Sequence, residues 1–390
     1  MGTFNNGGAR GNLDLSEWTI HSSCTNLASM FKNCPDLISI NVSNWNGKNL
    51  KNVECMFQSC PSLQNANVYG LVKSSVNHIG EMFSGCPSLQ TIDISSWDTS
   101  GCKEFRAVFT NCTSLTSIIG LDKLDYSGIR TDRTASYNLL AGCTSYAEPI
   151  DLSRLPRDRV YSLNFSGVKS DSIIGLNDLK IGGEFHLFVK DMVNLTSLDI
   201  STCDTSKVTH WDISWNSFVY GNTNLRYLNM SNLKVNNPNI LTNWEPFRYF
   251  GRGCPNLEEI IIGEECDFSK VKAFNWFNGV KFNNLKKVDL SGIDLQQIEA
   301  VPSEITALTS QNMFGAYVNT TLTDFTPFKN ICIPMDVSNL TGLSVESLVK
   351  IMESLVSTSS TMTLKIGSTN LAKLTPAQIK IATDKNWTVV

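Results

Sequence analysis

Apolar and polar residues alternate along this chain in short stretches that return at a fixed interval. The clearest, from Leu89 to Ser95, turns Leu89, Ile92 and Ile94 to one side and Thr91, Asp93 and Ser95 to the other. A two-residue period of this kind predicts a short strand buried on one face. Ahead of it, Met30-Phe31, Met56-Phe57, Met82-Phe83 and Val108-Phe109 stand 26 residues apart, and Cys34, Cys60, Cys86 and Cys112 keep the same step, as do Leu37, Leu63, Leu89 and Leu115. These fields held in phase define a repeating unit, read most cleanly as MFSGCPSLQTIDISSWDTS from Met82 to Ser100. One strand per coil cannot bury its own apolar face, so the units must stack, with their strands forming a parallel sheet along one side.

Past Leu115 the anchor continues at Tyr146, Leu176, Leu195, Leu225, Leu257 and Leu285, in steps of between 19 and 32 residues. Unequal steps around a constant strand put the length variation on the connecting side. At the front, LDLSEW at 13–18 matches VSNW at 42–45 and ISSW at 94–97. Residues 1–12 are therefore read as a flexible lead, 13–300 as the repeat array, and 301–390 as degenerate and capping repeats of the same continuous domain. In that last part Ser344–Leu355 and Thr375–Lys385 show helical periodicity behind Ser and Thr N-caps, with short strands predicted at Thr363–Ile366 and Trp387–Val390.

The unit MFxxCxSLxxIDISxWDTS resembles the BspA-like class of leucine-rich repeats, found in surface and secreted proteins of bacteria and in related phage and protist proteins. The resemblance spans roughly residues 13–300. The ending, with IGSTNLAKL and a helix before NWTVV, is similar to a tail on such proteins from gut bacteria and their phages. The fold class is thus a leucine-rich-repeat solenoid, an α/β repeat with a parallel sheet on one side, a mostly irregular connecting side and helical coils at the C-terminal end. The resemblance implies adhesion, host recognition or virion attachment at a cell surface or on a virion, and carries over no catalytic residue. The coils between Gly120 and Leu195 depart from the family's regular spacing, and no signal peptide is visible in MGTFNNGGARGN.

Composition narrows the partners. Apolar residues make up 42% of the chain and charged ones only 17%, so the exterior must be largely Ser, Thr and Asn. A net charge of -4 with scattered Lys and Arg supplies no footprint for phosphate backbones, which argues against nucleic acid. No run of about 20 apolar residues is present, which argues against membrane insertion.

Candidate chemistry mostly dissolves into repeat positions. Cys34, Cys60, Cys86, Cys112, Cys143 and Cys254 share one place in the unit, where a small buried thiol packs before the Leu. A ladder of disulfides is the alternative, whereas zinc lacks the short C-x₂₋₄-C arms it needs. The histidines His21, His78, His186 and His210 belong to no constellation. Gly251-Arg252-Gly253 reads as a repeat with one extra residue, and no hydrolase, zincin or P-loop signature occurs. Glu258, Glu259, Glu264, Glu265 and Asp267 could hold calcium only if their oxygens converged; a solvated charged strip is the simpler reading. No catalytic, cofactor or metal residues are assigned.

Two features remain. Asn41, Asn67, Asp93, Asp199, Asn229 and Asp289 form an outward row on the strands, which either hydrogen-bonds neighbouring strands or water, or serves as a polar concave face for a glycan or protein. Trp211, Trp215, Trp244 and Trp276, in aromatic-rich larger coils, either fill those coils or form an exposed platform. The function expected is a non-enzymatic binding module for a cell-surface component. The alternatives are a structural subunit, whose N-terminal end is covered by a partner or neighbouring domain, and a surface-polysaccharide hydrolase, which would need paired carboxylates in a cleft.

Overall fold

The computed structural model describes residues 4–130, 136–158, 160, 162–182, 189–208, 219–234, 251–264, 266–269, 282–298, 307–309, 313 and 321–390. The chain divides into two compact units, Met1–Gly175 with Asp191–Val193, and Leu176–Lys190 with Asn194–Val390.

The first unit stacks short parallel strands: β1 (Gly11–Asp14), β2 (Leu37–Asn41), β3 (Asn65–Asn67), β4 (Thr91–Asp93), β5 (Ser117–Ile119), β6 (Ser136–Tyr137), β7 (Ile150–Asp151), β8 (Ser162–Leu163) and β9 (Ile173–Ile174). Asp14, Asn41 and Asn67 stand in one register row across β1-β2-β3, and Asp93 stands opposite Ile119 across β4-β5. A second ladder of single parallel bridges joins Asn26, Asn52, His78 and Glu104, and runs on past the strand ladder from one coil to the next. Between the ladders lies the core. Phe31, Phe57, Phe83 and Phe109 are fully buried and stack face to face, with centroids 5.5, 5.2 and 5.7 Å apart. Offset stacking of this kind adds to the area that each ring removes from water.

Two tight corners per coil bring the chain onto that stack. The residue before each Met-Phe pair (Ser29, Cys55, Glu81, Ala107) and the residue before each cysteine (Asn33, Ser59, Gly85, Asn111) have positive φ. Such corners are costly for side chains other than Gly and Asn, and identical packing above and below holds them. At the front, Phe4 is itself a rung: its ring lies 5.3 Å from Phe31, and its N–H donates to the Met30 carbonyl.

In the second unit β10 (Ser197–Asp199), β11 (Tyr227–Asn229), β12 (Glu259–Ile261), β13 (Lys287–Asp289) and β15 (Asp324–Thr326) make one parallel sheet, while β14 (Leu308–Thr309), β16 (Met335–Asp336), β17 (Met362–Lys365) and β18 (Trp387–Val389) make another. Helices occupy the connecting side of the last coils at Val345–Glu353, Ser368–Leu371 and Pro376–Thr383. Ser344 caps the first through the Ser347 N–H, and Thr375 with Gln378 forms a capping box at the third. Both N-caps are where the Ser and Thr signals predict them. Lys385 reaches back to the Met352 and Glu353 carbonyls at 3.1 and 2.6 Å, satisfying acceptors at the first helix's C-terminal end. No described helix is long and apolar enough to cross a membrane.

One anchor is misplaced in the sequence reading. Leu176 does not precede a strand: β9 lies before it, and Gly175, at φ +80°, turns the chain between them. Ser172-Ile173-Ile174-Gly175-Leu176 repeats Ser117-Ile118-Ile119-Gly120-Leu121, so Leu176 fills the place of Leu121, just after the strand. The Leu-x-x-Leu-x-Ile spacing that suggested an anchor arises here in the turn instead.

Candidate binding face

Building the outward row from its residues reveals a local role first. Asn41, Asn67 and Asp93 each accept, through Oδ1, the backbone N–H two residues on, from Ser43, Tyr69 and Ser95 at 3.2, 3.3 and 2.8 Å. In the second unit Asp199, Asn229 and Asp289 take the N–H of Ser201, Ser231 and Ser291 at 2.9, 3.1 and 2.8 Å. This Asx turn closes the corner after each strand, which explains the Asp/Asn-x-Ser spacing in the repeat. The Ser95 hydroxyl and N–H hold the Asp93 carboxyl below its ordinary range, and the Ser16 N–H, followed by its hydroxyl, does so for Asp14. Because the turn uses one oxygen, the other carboxylate oxygen or the amide nitrogen stays available at the surface. Cross-strand pairing takes up part of that capacity, as where Asn229 Nδ2 donates to Asp199 Oδ2 at 3.1 Å.

Acidic residues near β12 do not converge on a cation. Glu258 bonds Arg226 at 2.8 Å and Lys286 at 2.7 Å, Glu259 lies 3.7 Å from Lys287, and Asp267 closes a turn onto Ser269. Lys286 and then Arg226 hold the Glu258 carboxyl low. The strip is a charge ladder across strands. Among the described residues no group of His, Cys, Asp and Glu is arranged to hold a metal. Trp211, Trp215, Trp244 and Trp276 lie outside the described residues, as do His186, His210 and Glu265.

The cysteines show what their repeat position does. Cys34, Cys60, Cys86, Cys112 and Cys143 donate their thiols to the carbonyls of Phe4, Phe31, Phe57, Phe83 and Phe109, one coil back, at 2.9 to 3.1 Å. Cys254 repeats the contact on Val219 in the second unit, at 2.9 Å. Each thiol thus satisfies a carbonyl in the core wall and fills the space beneath it. No disulfide joins any of the twelve cysteines, all of which are described. Burial pushes the Cys60 and Cys143 thiols up to about 12. Gly251 and Gly253 have φ of +77° and +79° and make the corner before Cys254, and a Cβ on Gly253 would meet the Gly221 backbone at 2.8 Å.

Strands of a leucine-x-x-isoleucine unit, stacked in parallel and tied by a phenylalanine ladder and a thiol ladder, decide the architecture. This chain is a leucine-rich-repeat solenoid. Its repeats resemble the BspA-like pattern. A family described as "Mycoplasma protein of unknown function, DUF285" matches residues 2–92 and, in a second overlapping match, 25–138 of the solenoid. Among solved structures it is similar to a leucine rich cell surface protein from Faecalibacterium prausnitzii, with 13% identity over 82% of this chain and 88% of that chain and a TM-score of 0.36. It is also similar to a leucine-rich repeat protein from Bacteroides ovatus, with 12% identity over 97% of this chain and 92% of that chain, again with a TM-score of 0.36. No curated protein matches the chain.

The repeat's exceptions are more telling than its rule. Within the first unit the strand ladder is interrupted between β3 and β4, which belong to separate sheets. Ala66 stands there in place of the isoleucine found at Ile40, Ile92 and Ile118, and a depression of about 400 Å³ opens over it. Tyr69 replaces the turn serine and is 60% exposed, while Ile119 replaces the outward Asp and is 55% exposed. Sequence reasoning missed this hollow because it followed the consensus; the signal was the three departures from it, at Ala66, Tyr69 and Ile119. A second open groove crosses the corners at Pro35, Pro61 and Pro87 and is walled almost entirely by apolar atoms.

Proposed function

We infer that this solenoid is a non-enzymatic binding module that recognises a component of a cell surface, working outside the cell as an adhesin or on a virion as an attachment protein. The observation that carries the reading is the outward row. Asn41, Asn67 and Asp93 in the first unit, and Asp199, Asn229 and Asp289 in the second, are each fixed by a turn of their own, so each unit holds its amides and carboxylates in place before any partner arrives. Rigid polar groups lose little freedom on binding, which is the condition for recognition by a surface rather than by a cleft. Protein and glycan partners both suit such a face. A polysaccharide hydrolase is disfavoured, since these carboxylates each serve a turn and stand on strand faces rather than as an opposed pair in a cleft.

The test is binding of fluorescently labelled protein to intact bacterial and epithelial cells, read by flow cytometry with unlabelled protein as competitor. Saturable, competable binding to at least one cell type is the expected result; non-competable background on every cell type would overturn the reading.

A structural-subunit reading draws on a different residue. Trp45 and Trp97 are buried and donate Nε1–H to the Leu15 and Val68 carbonyls of the neighbouring coil, at 3.0 and 3.3 Å. Trp18, at the same repeat position, is 53% exposed and has no such carbonyl among the described residues. A partner surface laid on this first coil would complete it.

A further inference from the structure

The interrupted ladder between β3 and β4 combines three properties. Its floor is apolar, formed by Ile40, Ala66 and Ile92. Its rim is polar: Asn65 and Asn67 on one strand and Thr91 and Asp93 on the next, each pair separated by about 6.7 Å along the strand. On its flank stands Tyr69, an exposed aromatic ring whose hydroxyl, like the side chains of Asn65 and Thr91, makes no hydrogen bond to a described residue.

At several other places on the strand faces, side chains pair across neighbouring coils. Ser39 donates to Asn12 at 2.7 Å, Asn229 to Asp199 at 3.1 Å, and Arg226 and Lys286 flank Glu258. At the hollow those partners are missing and the donors and acceptors are held out on rigid strands. Neutral amides, a hydroxyl and one carboxylate offer both donors and acceptors at fixed spacing, beside a ring that can take an apolar C–H face. We propose that this hollow is a saccharide-binding subsite, and that it takes an uncharged hexose unit. The ring stacks on Tyr69; its hydroxyls bond Asn65, Asn67, Thr91 and the free oxygen of Asp93. Asp93 is the one formal charge lining the hollow, and it disfavours carboxylated or sulfated sugars. At about 400 Å³ the depression lies at the small end of ligand-sized sites. The proposal rests on the binding-module reading and gives it a site and a ligand class.

The experiment is saturation-transfer NMR on the full chain with the methyl glycosides of glucose, galactose, mannose and N-acetylglucosamine, with sialyllactose as the acidic control. At least one neutral glycoside should receive saturation, with sialyllactose weaker. Tyr69→Ala, at an exposed position, should lower affinity by about fivefold. Ala66→Ile restores the repeat's own residue and fills the floor, so it should abolish binding while the melting temperature stays level or rises. The proposal is overturned if no neutral glycoside is saturated, if sialyllactose is preferred, or if Tyr69→Ala binds like the parent; this last variant decides the matter should Ala66→Ile fold poorly. Cell binding separates the two readings. A parent protein and Tyr69→Ala that bind cells equally well, with no glycoside signal, would indicate a protein partner at another place and sink the hollow alone. Glycoside binding without any cell binding would sink the surface-recognition reading and leave the hollow standing.

Discussion

A cysteine in a repeat invites redox chemistry, and in this solenoid its surroundings oppose it. Cys60, Cys86, Cys112 and Cys143 are fully buried, and desolvation raises all four thiols. Only the thiolate reacts at a useful rate, so thiols raised this far are inert near neutrality. Iodoacetamide at about pH 8 should therefore leave these four untouched in the native protein and label them after unfolding in urea, with half-exposed Cys24 as the internal positive. Mass spectrometry of tryptic peptides reads the result; rapid native labelling of Cys86 would contradict the thiol-to-carbonyl ladder. The residue scale also explains the Asp-x-Ser spacing. The aspartate is there for the N–H two residues on, so its presence alone says nothing about a ligand.

At the scale of the element, no strand of three residues is stable by itself. Each coil borrows stability from the rungs above and below, and Phe57 is held between Phe31 and Phe83 at 5.5 and 5.2 Å. Phe57→Ala removes one ring from a continuous stack and leaves a cavity that neighbouring coils cannot close without breaking their own ladders. The cost should be about 3–5 kcal/mol of stability. Because repeat stability is a sum over neighbours, hydrogen exchange should quicken first in the coils around residues 30–85. Urea unfolding and exchange followed by mass spectrometry test this together, and a loss under about 1 kcal/mol would show the stack to be dispensable.

For the whole molecule, the open question is what meets the first coil. Trp18 occupies the position where Trp45 and Trp97 are covered, and β1 is an edge strand of its sheet among the described residues. Exposed apolar surface beside an unpaired edge favours association. If a second copy meets it, light scattering should give a mass above 43.2 kDa that falls on tenfold dilution, and Trp18→Ser should abolish the excess. A mass of one chain at every concentration would remove self-association and leave the structural reading dependent on a different partner.

The repeat was written plainly along the chain. Phase-locked Phe, Cys and Leu imply stacked coils because a period held over many units can be satisfied only by neighbours of the same kind, and the Ser344 and Thr375 caps mark their helices because capping is local. Tertiary structure decided the rest. Leu176 could be assigned to the turn after β9 only once strand register was known, since its spacing mimics an anchor. The acidic strip became a charge ladder only when Arg226 and Lys286 came to lie on either side of Glu258, from distant points in the chain. The hollow over Ala66 likewise needed the stack. A missing pair of methyl-bearing branches is a silent substitution in one strand, and becomes a depression only where Ile40 and Ile92 stand on both sides of it.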